Sequence, residues 1–365
     1  MSNLSHGAID KLQGRESLVS TSFFLKKLRS VTSQKLWPVL SLGIIAVAGV
    51  IGSAIAIFTR MEKGLVLPVE EAIKNERIGD YTFPALQDRV YKGSQIKLVR
   101  KMQTNSDFDS YLFEFESDGK KVTGQLNMPK TEMPAGGFPI VVMIRGYVDK
   151  EIYETGVGTR NAAAYFAGRG FLTVACDFLG YGGSDPEDGD VLLARFERPV
   201  VVVNLINSLS SLKQANSERV AMWGHSNGGQ IALSVLEITK RPIPTILWAP
   251  VSQPFPYSIL YYVEELPDKG DYIRKQVADF EKSYNPTLFS VTAFLDQIKA
   301  PILLHQGGAD EAVPQAWSDD LALRLKMSEK EITYYVYPKA DHDMRGVWNT
   351  VVARDVEFFL KSLAL

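Results

Sequence analysis

A single cysteine and four histidines among 365 residues leave little room for several kinds of chemistry. One thiol, Cys176, excludes an intrachain disulfide, and its place beside Ala175 in an apolar run reads as a small core residue. Charge of one sign is also missing. A formal net charge of −2, with no basic cluster interleaved with aromatics, argues against a nucleic-acid partner. No internal repeat is visible, and nothing in the chain asks for a metal or an organic cofactor.

Long apolar runs are rare as well, which makes the one at 37–58 conspicuous: it is apolar apart from two serines and carries no charge. About 20 such residues at roughly 1.5 Å each span a bilayer core, so the run reads as one transmembrane helix, 37–59. Lys11, Arg15, Lys26, Lys27, Arg29 and Lys35 precede it, and only Arg60 and Lys63 follow closely. That imbalance favours a cytoplasmic tail at 1–36 and an extracytoplasmic remainder. A cleaved signal peptide and a buried core helix are rival readings, both disfavoured by the length and uniformity of the run. The polar stretch 60–95, with Pro68 and Pro84, reads as a juxtamembrane linker.

What is present in abundance is a catalytic signature. Gly224-His225-Ser226-Asn227-Gly228-Gly229 fits G-x-S-x-G; it follows the strand-like Val220-Ala221-Met222-Trp223 and precedes a run of apolar residues at helical spacing. Strand, glycine-flanked serine and helix make a nucleophile elbow, whose sharp turn admits only small neighbours and lifts the hydroxyl above a sheet. An idle glycine-rich turn is the alternative. A serine hydroxyl needs a base, ordinarily a histidine held by a carboxylate. His6 lies in a polar tail, His225 adjoins the serine with its ring expected to point away, and His305 sits in an apolar run that suits a core histidine. His342 remains, in the polar loop Lys339-Ala340-Asp341-His342-Asp343 between strand-like and helix-like runs. Asp310 follows the apolar run 302–305 and fits the chain order serine, acid, histidine. Glu311, Asp341 and Asp343 are its rivals.

From about residue 122 onward the chain resembles an α/β-hydrolase, and most resembles the prolyl oligopeptidase family of serine peptidases with their dipeptidyl aminopeptidase and acyl-hydrolase relatives. The matching motifs are the elbow, Gly307-Gly308-Ala309-Asp310-Glu311-Ala312-Val313-Pro314, Asp341-His342, and Asp177-Phe178-Leu179-Gly180-Tyr181-Gly182-Gly183-Ser184. The resemblance implies a Ser226, Asp310, His342 triad and an oxyanion hole made by the backbone amides of Tyr147 and Asn227. It also implies a serine hydrolase of peptidase type, with a carboxylesterase and a catalytically silent binding module as alternatives; the apolar run at 37–59 would make it membrane-anchored. One departure stands out. Where the family has His-Gly after the third strand, this chain has Arg145-Gly146, and Arg145 reads as a structural ion pair beneath the loop rather than a clamp on a substrate carboxylate.

The coarse pattern agrees with an α/β fold. Strand-like runs fall at 111–116, 122–128, 140–144, 171–176, 220–223, 245–249, 302–305 and 332–337, and helix-like runs at 160–168, 198–214, 226–239, 315–327 and 348–363. The alternation predicts a mostly parallel eight-stranded sheet covered on both faces, in a domain at 96–365. A cap insertion after the sixth strand, at about 251–297, is rich in aromatics expected to bury it against the sheet. Glu264-Glu265 inside it reads as a solvated helix face, since the paired glutamates of dipeptidyl aminopeptidases belong to a propeller domain.

Overall fold

Five consecutive residues, Ile140 to Ile144, retain at most 1 % of their surface, and their alternation explains the architecture. Ile140, Val142 and Ile144 join one apolar cluster, with Val174, Leu205, Leu233 and Leu236. Val141 and Met143 join a second, with Phe166, Phe171, Trp248 and Phe359. A strand buried on both faces belongs at the centre of a parallel sheet with helices on either side. Each such side chain contributes about 1.5–3 kcal/mol on burial.

The computed structural model describes residues 77–365, so the expected tail, the transmembrane helix and the first part of the linker, 60–76, lie outside the described residues. Among the described residues no helix is long and apolar enough to cross a membrane. The packed unit runs from Gly79 to Leu365.

Its strands are β1 (Lys97–Thr104), β2 (Phe108–Ser117), β3 (Lys120–Pro129), β4 (Phe138–Ile144), β5 (Leu172–Cys176), β6 (Ala215–His225), β7 (Thr245–Trp248), β8 (Ile302–Gly307) and β9 (Ile332–Tyr337). They form one nine-stranded sheet in the order β1-β2-β3-β5-β4-β6-β7-β8-β9. Strands β1, β2 and β3 pair antiparallel, β3 pairs antiparallel with β5, and all later pairs are parallel. The helices are α1 (Phe83–Asp88), α2 (Arg160–Ala167), α3 (Val191–Ser208), α4 (Asn227–Thr239), α5 (Tyr257–Leu260), α6 (Asp271–Glu281), α7 (Gln315–Met327) and α8 (Trp348–Ser362).

The order has a consequence for function. Successive strands are laid to opposite sides of β4, so the carboxyl ends of β4 and β6 open a crevice at a topological switch point. Their register sets Ile144 beside Gly224, which brings Arg145-Gly146 next to the elbow.

Three expectations need correction. The sheet has nine strands rather than eight, because β1 is an exposed edge strand in which Lys97, Arg100 and Lys101 face solvent. Its charges protect the edge and erase the apolar signal. Helix α3 begins at Val191 rather than 198: Asp190 caps it, its Oδ1 accepting the amides of Leu192 at 2.9 Å and Leu193 at 3.2 Å, and Pro199 sits inside the helix instead of opening it. Finally, the cap packs on helices rather than the sheet. Phe196 of α3 meets Phe255 at 5.3 Å and Phe289 at 4.9 Å between ring centroids, and Trp317 of α7 meets Tyr261 at 4.7 Å.

Residues 83–88, inside the stretch read as linker, are part of the packed unit. Thr82 caps α1 through the Ala85 amide, Phe83 stacks on Phe294 at 4.9 Å, and Gln87 Nε2 donates to the Glu237 carbonyl at 3.1 Å.

Candidate active site

Ser226 stands between β6 and α4 with φ 57° and ψ −122°. A non-glycine residue there stores about 1–3 kcal/mol of strain that its surroundings must hold. The holding bonds are visible: the Ser226 amide donates to the Trp248 carbonyl at 2.9 Å, and its own carbonyl accepts from Gly229 and Val251, each at 3.0 Å. Gly228 is required by close approach, since a Cβ on it would lie 2.0 Å from the Ile144 carbonyl oxygen. Gly146 passes almost as near to the nucleophile; a Cβ there would sit 3.0 Å from Ser226 Cβ and 3.6 Å from its Oγ.

Two amides flank this point. Among the described residues, neither the Tyr147 nor the Asn227 backbone N–H has a protein acceptor. The Tyr147 side chain turns outward and donates its hydroxyl to Asp149 at 2.6 Å.

On the neighbouring strand ends, His342 Nδ1 donates to Asp310 Oδ2 at 2.9 Å. The Asp310 side chain is fully buried and saturated: Oδ1 accepts the amides of Ala312 and Val313 at 2.8 Å each, and Oδ2 also accepts Gln306 Nε2 at 3.0 Å. Burial pushes its carboxyl up, but the His342 bond and charge and the two amides outweigh that and leave it below the usual carboxylate range. For His342 burial acts downward, and the bond and charge of Asp310, followed by Asp343 and Asp341, carry it above the ordinary imidazole value.

The structure thus brings Asp310 and His342 together and sets Ser226 at the elbow, while no Ser226–His342 hydrogen bond forms among the described residues. His342 is tied to the elbow through His225, whose ring lies 4.5 Å from the His342 ring with Nε2 at 3.0 Å from the His342 carbonyl. Burial and the neighbouring His342 push His225 down to about 4. The rival acids are occupied elsewhere, Asp341 and Asp343 by Arg345 at 3.3 and 3.0 Å. Glu311 is exposed. His305 is a core residue, its Nδ1 2.9 Å from the Tyr337 hydroxyl and its Nε2 2.9 Å from the buried Asp355.

Arg145 corrects a detail. It makes no ion pair among the described residues; its guanidinium donates to the carbonyls of Gly146 at 2.9 Å and Asp177 at 3.1 Å, and lies over the rings of Tyr181 at 4.1 Å and Tyr153 at 4.6 Å. So placed, it braces the loop that carries the Tyr147 amide. Asp177, also buried, accepts three hydroxyls instead, from Thr123 at 2.6 Å, Tyr153 at 2.7 Å and Thr155 at 2.9 Å.

Sequence reasoning missed two features. Gln306 fixes the acid and is itself fixed by Ser318 at 2.7 Å; a glutamine beside Gly307-Gly308 in an apolar strand was the available signal. Arg195 reaches the elbow from α3, its Nη2 donating to Gln230 Oε1 at 2.9 Å and Asn227 Oδ1 at 3.1 Å. No motif marks it. Glu264 and Glu265 are exposed on the cap, with Glu264 paired to Arg274. Among the described residues no three His, Cys, Asp or Glu side chains gather as a metal site requires.

Residues 158–365 match the model of the prolyl oligopeptidase family. "Dipeptidyl peptidase family member 6" of Caenorhabditis elegans is 25 % identical over 255 residues, which cover 67 % of this chain and 33 % of that one. The chain therefore spans about a third of that relative. Among solved structures, acetyl xylan esterase 1 from Thermoanaerobacterium sp. JW/SL YS485 superposes with a TM-score of 0.55 at 18 % identity, over 78 % of this chain and 93 % of the esterase. The acylaminoacyl peptidase of Pyrococcus horikoshii gives 0.54 at 19 % identity, over 71 % of this chain and 42 % of the peptidase. These superpositions speak for the α/β-hydrolase fold. With more than half of the chain matched by one family model, the protein belongs to the prolyl oligopeptidase family and is a serine hydrolase.

Proposed function

We propose that Ser226, His342 and Asp310 form the catalytic triad of an acyl transfer, with the amides of Tyr147 and Asn227 as the oxyanion hole. The observation that carries this reading is the saturated Asp310 bonded to His342 at 2.9 Å, next to a strained serine flanked by two unengaged amides. Asp310 holds the proton on Nδ1, so Nε2 is left as the acceptor that a general base needs. Ser226 Oγ attacks the substrate carbonyl as its proton passes to Nε2. The carbonyl oxygen becomes an oxyanion held by the two amides, each contributing roughly 3–4 kcal/mol in the transition state. Collapse breaks the bond to the leaving group, which takes the proton from His342. Water then attacks the acyl-serine by the same route and releases the acid. Catalytic hydrogen bonds often tighten only in the substrate complex, which accommodates the open Ser226–His342 step.

The family match supports a peptidase of the prolyl oligopeptidase type as the first reading. A carboxylesterase is the second reading, supported by the shares of chain covered: nearly all of the acetyl xylan esterase but only 42 % of the acylaminoacyl peptidase has a counterpart here. Short p-nitrophenyl esters and aminoacyl or prolyl amides at equal concentration separate the two. Amide turnover above background supports the peptidase, and ester turnover alone rejects it. We also propose that the run 37–59 anchors the enzyme in a membrane with residues 1–36 in the cytoplasm and the hydrolase outside. Resistance of the full chain to alkaline carbonate extraction supports anchoring, and its release argues against it.

A further inference from the structure

Helix α3 carries two arginines three residues apart, Arg195 and Arg198, on the face turned toward the elbow. Both are half-buried. Arg195 is held by the neutral side-chain oxygens of Asn227 and Gln230, and Asn227 is the residue after the nucleophile. Arg198 makes no hydrogen bond and no ion pair among the described residues. The groups that face it are Tyr181, Arg145, Glu187 and Tyr147. Of these Glu187 is the one acid, and it is paired with Lys150. Around Arg195 the facing groups are Arg198 and Tyr262. Arg145, the third cation, is committed to carbonyls and rings. Between α1, α3, α4 and the cap lies a cavity of about 50 Å³ whose lining includes Arg195, Arg198, Asn227, Gln230, Phe83 and Phe255.

Two half-buried guanidinium groups that share no carboxylate of their own, the neighbouring Glu187 being held by Lys150, are unfavourable by themselves. Burial, and then Arg198, push Arg195 down to about 9, and burial also lowers Arg198. Such an arrangement is satisfied when a ligand brings the missing negative charge, and the guanidinium fork suits a carboxylate in particular.

We propose that Arg195 and Arg198 bind a carboxylate carried by the substrate, making this a hydrolase of acidic esters or amides. The proposal rests on Ser226 being the nucleophile. The carboxylate resides on either the acyl half or the leaving group, and the test separates these.

Three esters are compared: p-nitrophenyl butyrate, neutral throughout; p-nitrophenyl hemiglutarate, with the charge on the acyl group; and 4-carboxyphenyl butyrate, with the charge on the leaving group. In the native enzyme one charged ester exceeds the neutral one in kcat/KM by about tenfold or more, chiefly through KM, as a charge-assisted hydrogen bond implies. Arg198→Gln removes that preference, Arg198→Lys retains part of it, and added salt weakens it. Equal preference in native and Arg198→Gln enzyme, with Arg198→Gln folded by circular dichroism, overturns the proposal while leaving the hydrolase reading intact. If neither these esters nor the matching amides are turned over, the assignment of Ser226 as nucleophile fails, and calorimetry with glutarate and benzoate decides the site. Saturable binding lost in Arg198→Gln supports it, and absence of binding overturns it.

Discussion

Asp310→Asn is the substitution whose effect the geometry specifies most fully. The asparagine has one oxygen for the work of two. If its oxygen faces the amides of Ala312 and Val313, both 2.8 Å bonds survive and the new NH₂ group faces His342 Nδ1 and Gln306 Nε2. Both of those are donors, so two donors meet. The imidazole relieves its part by moving its proton to Nε2, which then cannot accept from Ser226. The opposite orientation turns the NH₂ group on two fixed backbone amides that have no such freedom, so the first prevails. Wrong-tautomer enzymes of this kind lose roughly 10⁴-fold in kcat, or about 5 kcal/mol of barrier. The Gln306 bond lost beside it costs about 1–3 kcal/mol of stability. The pH profile moves as well. In the native enzyme activity falls on the acid side as His342 protonates, above the ordinary histidine value because the bond and charge of Asp310 outweigh burial. Without that carboxylate the acid limb shifts to lower pH. Stopped or continuous assay of p-nitrophenyl ester hydrolysis from pH 5 to 9 measures both. A kcat within about tenfold of native, with the acid limb unmoved, refutes the assignment of Asp310 as orienting acid.

Gly228→Ala forces a Cβ to within 2.0 Å of the Ile144 carbonyl, so α4 must shift away from β4, costing about 1–3 kcal/mol by urea denaturation and roughly 100-fold in activity. Retention of both values argues against the tight elbow. Glu237, fully buried on α4 with both carboxylate oxygens unpartnered among the described residues, is held well above its ordinary value by burial and then by Asp296. A raised acid favours the folded state below its unfolded value and loses that contribution as pH rises toward the folded one. Glu237→Gln therefore removes a decline in thermal stability with rising pH and raises Tm at neutral pH; a Tm that drops in parallel with native across the range contradicts this.

Much of this site could be read before any coordinates because its parts sit where a strand ends. Ser226, Asp310 and His342 each follow a strand-like run, and a parallel sheet gathers such positions along one edge. What escaped lies where burial and pattern part company. Strand β1 is exposed along nearly all its length, so it carries no alternation to detect. Helix α3 contains Pro199, which as a local signal marks a helix start, yet tertiary packing of Leu192, Leu193 and the Val200-to-Val203 run carries the helix straight through it. Arg195 and Arg198 are separated from the elbow by a strand and a loop, and only folding sets them beside Asn227. Arg145 showed itself as a departure from a motif, but its carbonyl and ring partners are drawn from residues 146 to 181 and no ion-pair rule finds them.

Labelling with a fluorophosphonate, followed by mass-spectrometric mapping of the adduct, tests the serine-nucleophile mechanism most directly. A stable adduct on Ser226 in the native protein, absent from a folded Ser226→Ala variant, is the predicted result. A native protein that stays unlabelled, or a variant that labels as readily as native, contradicts it.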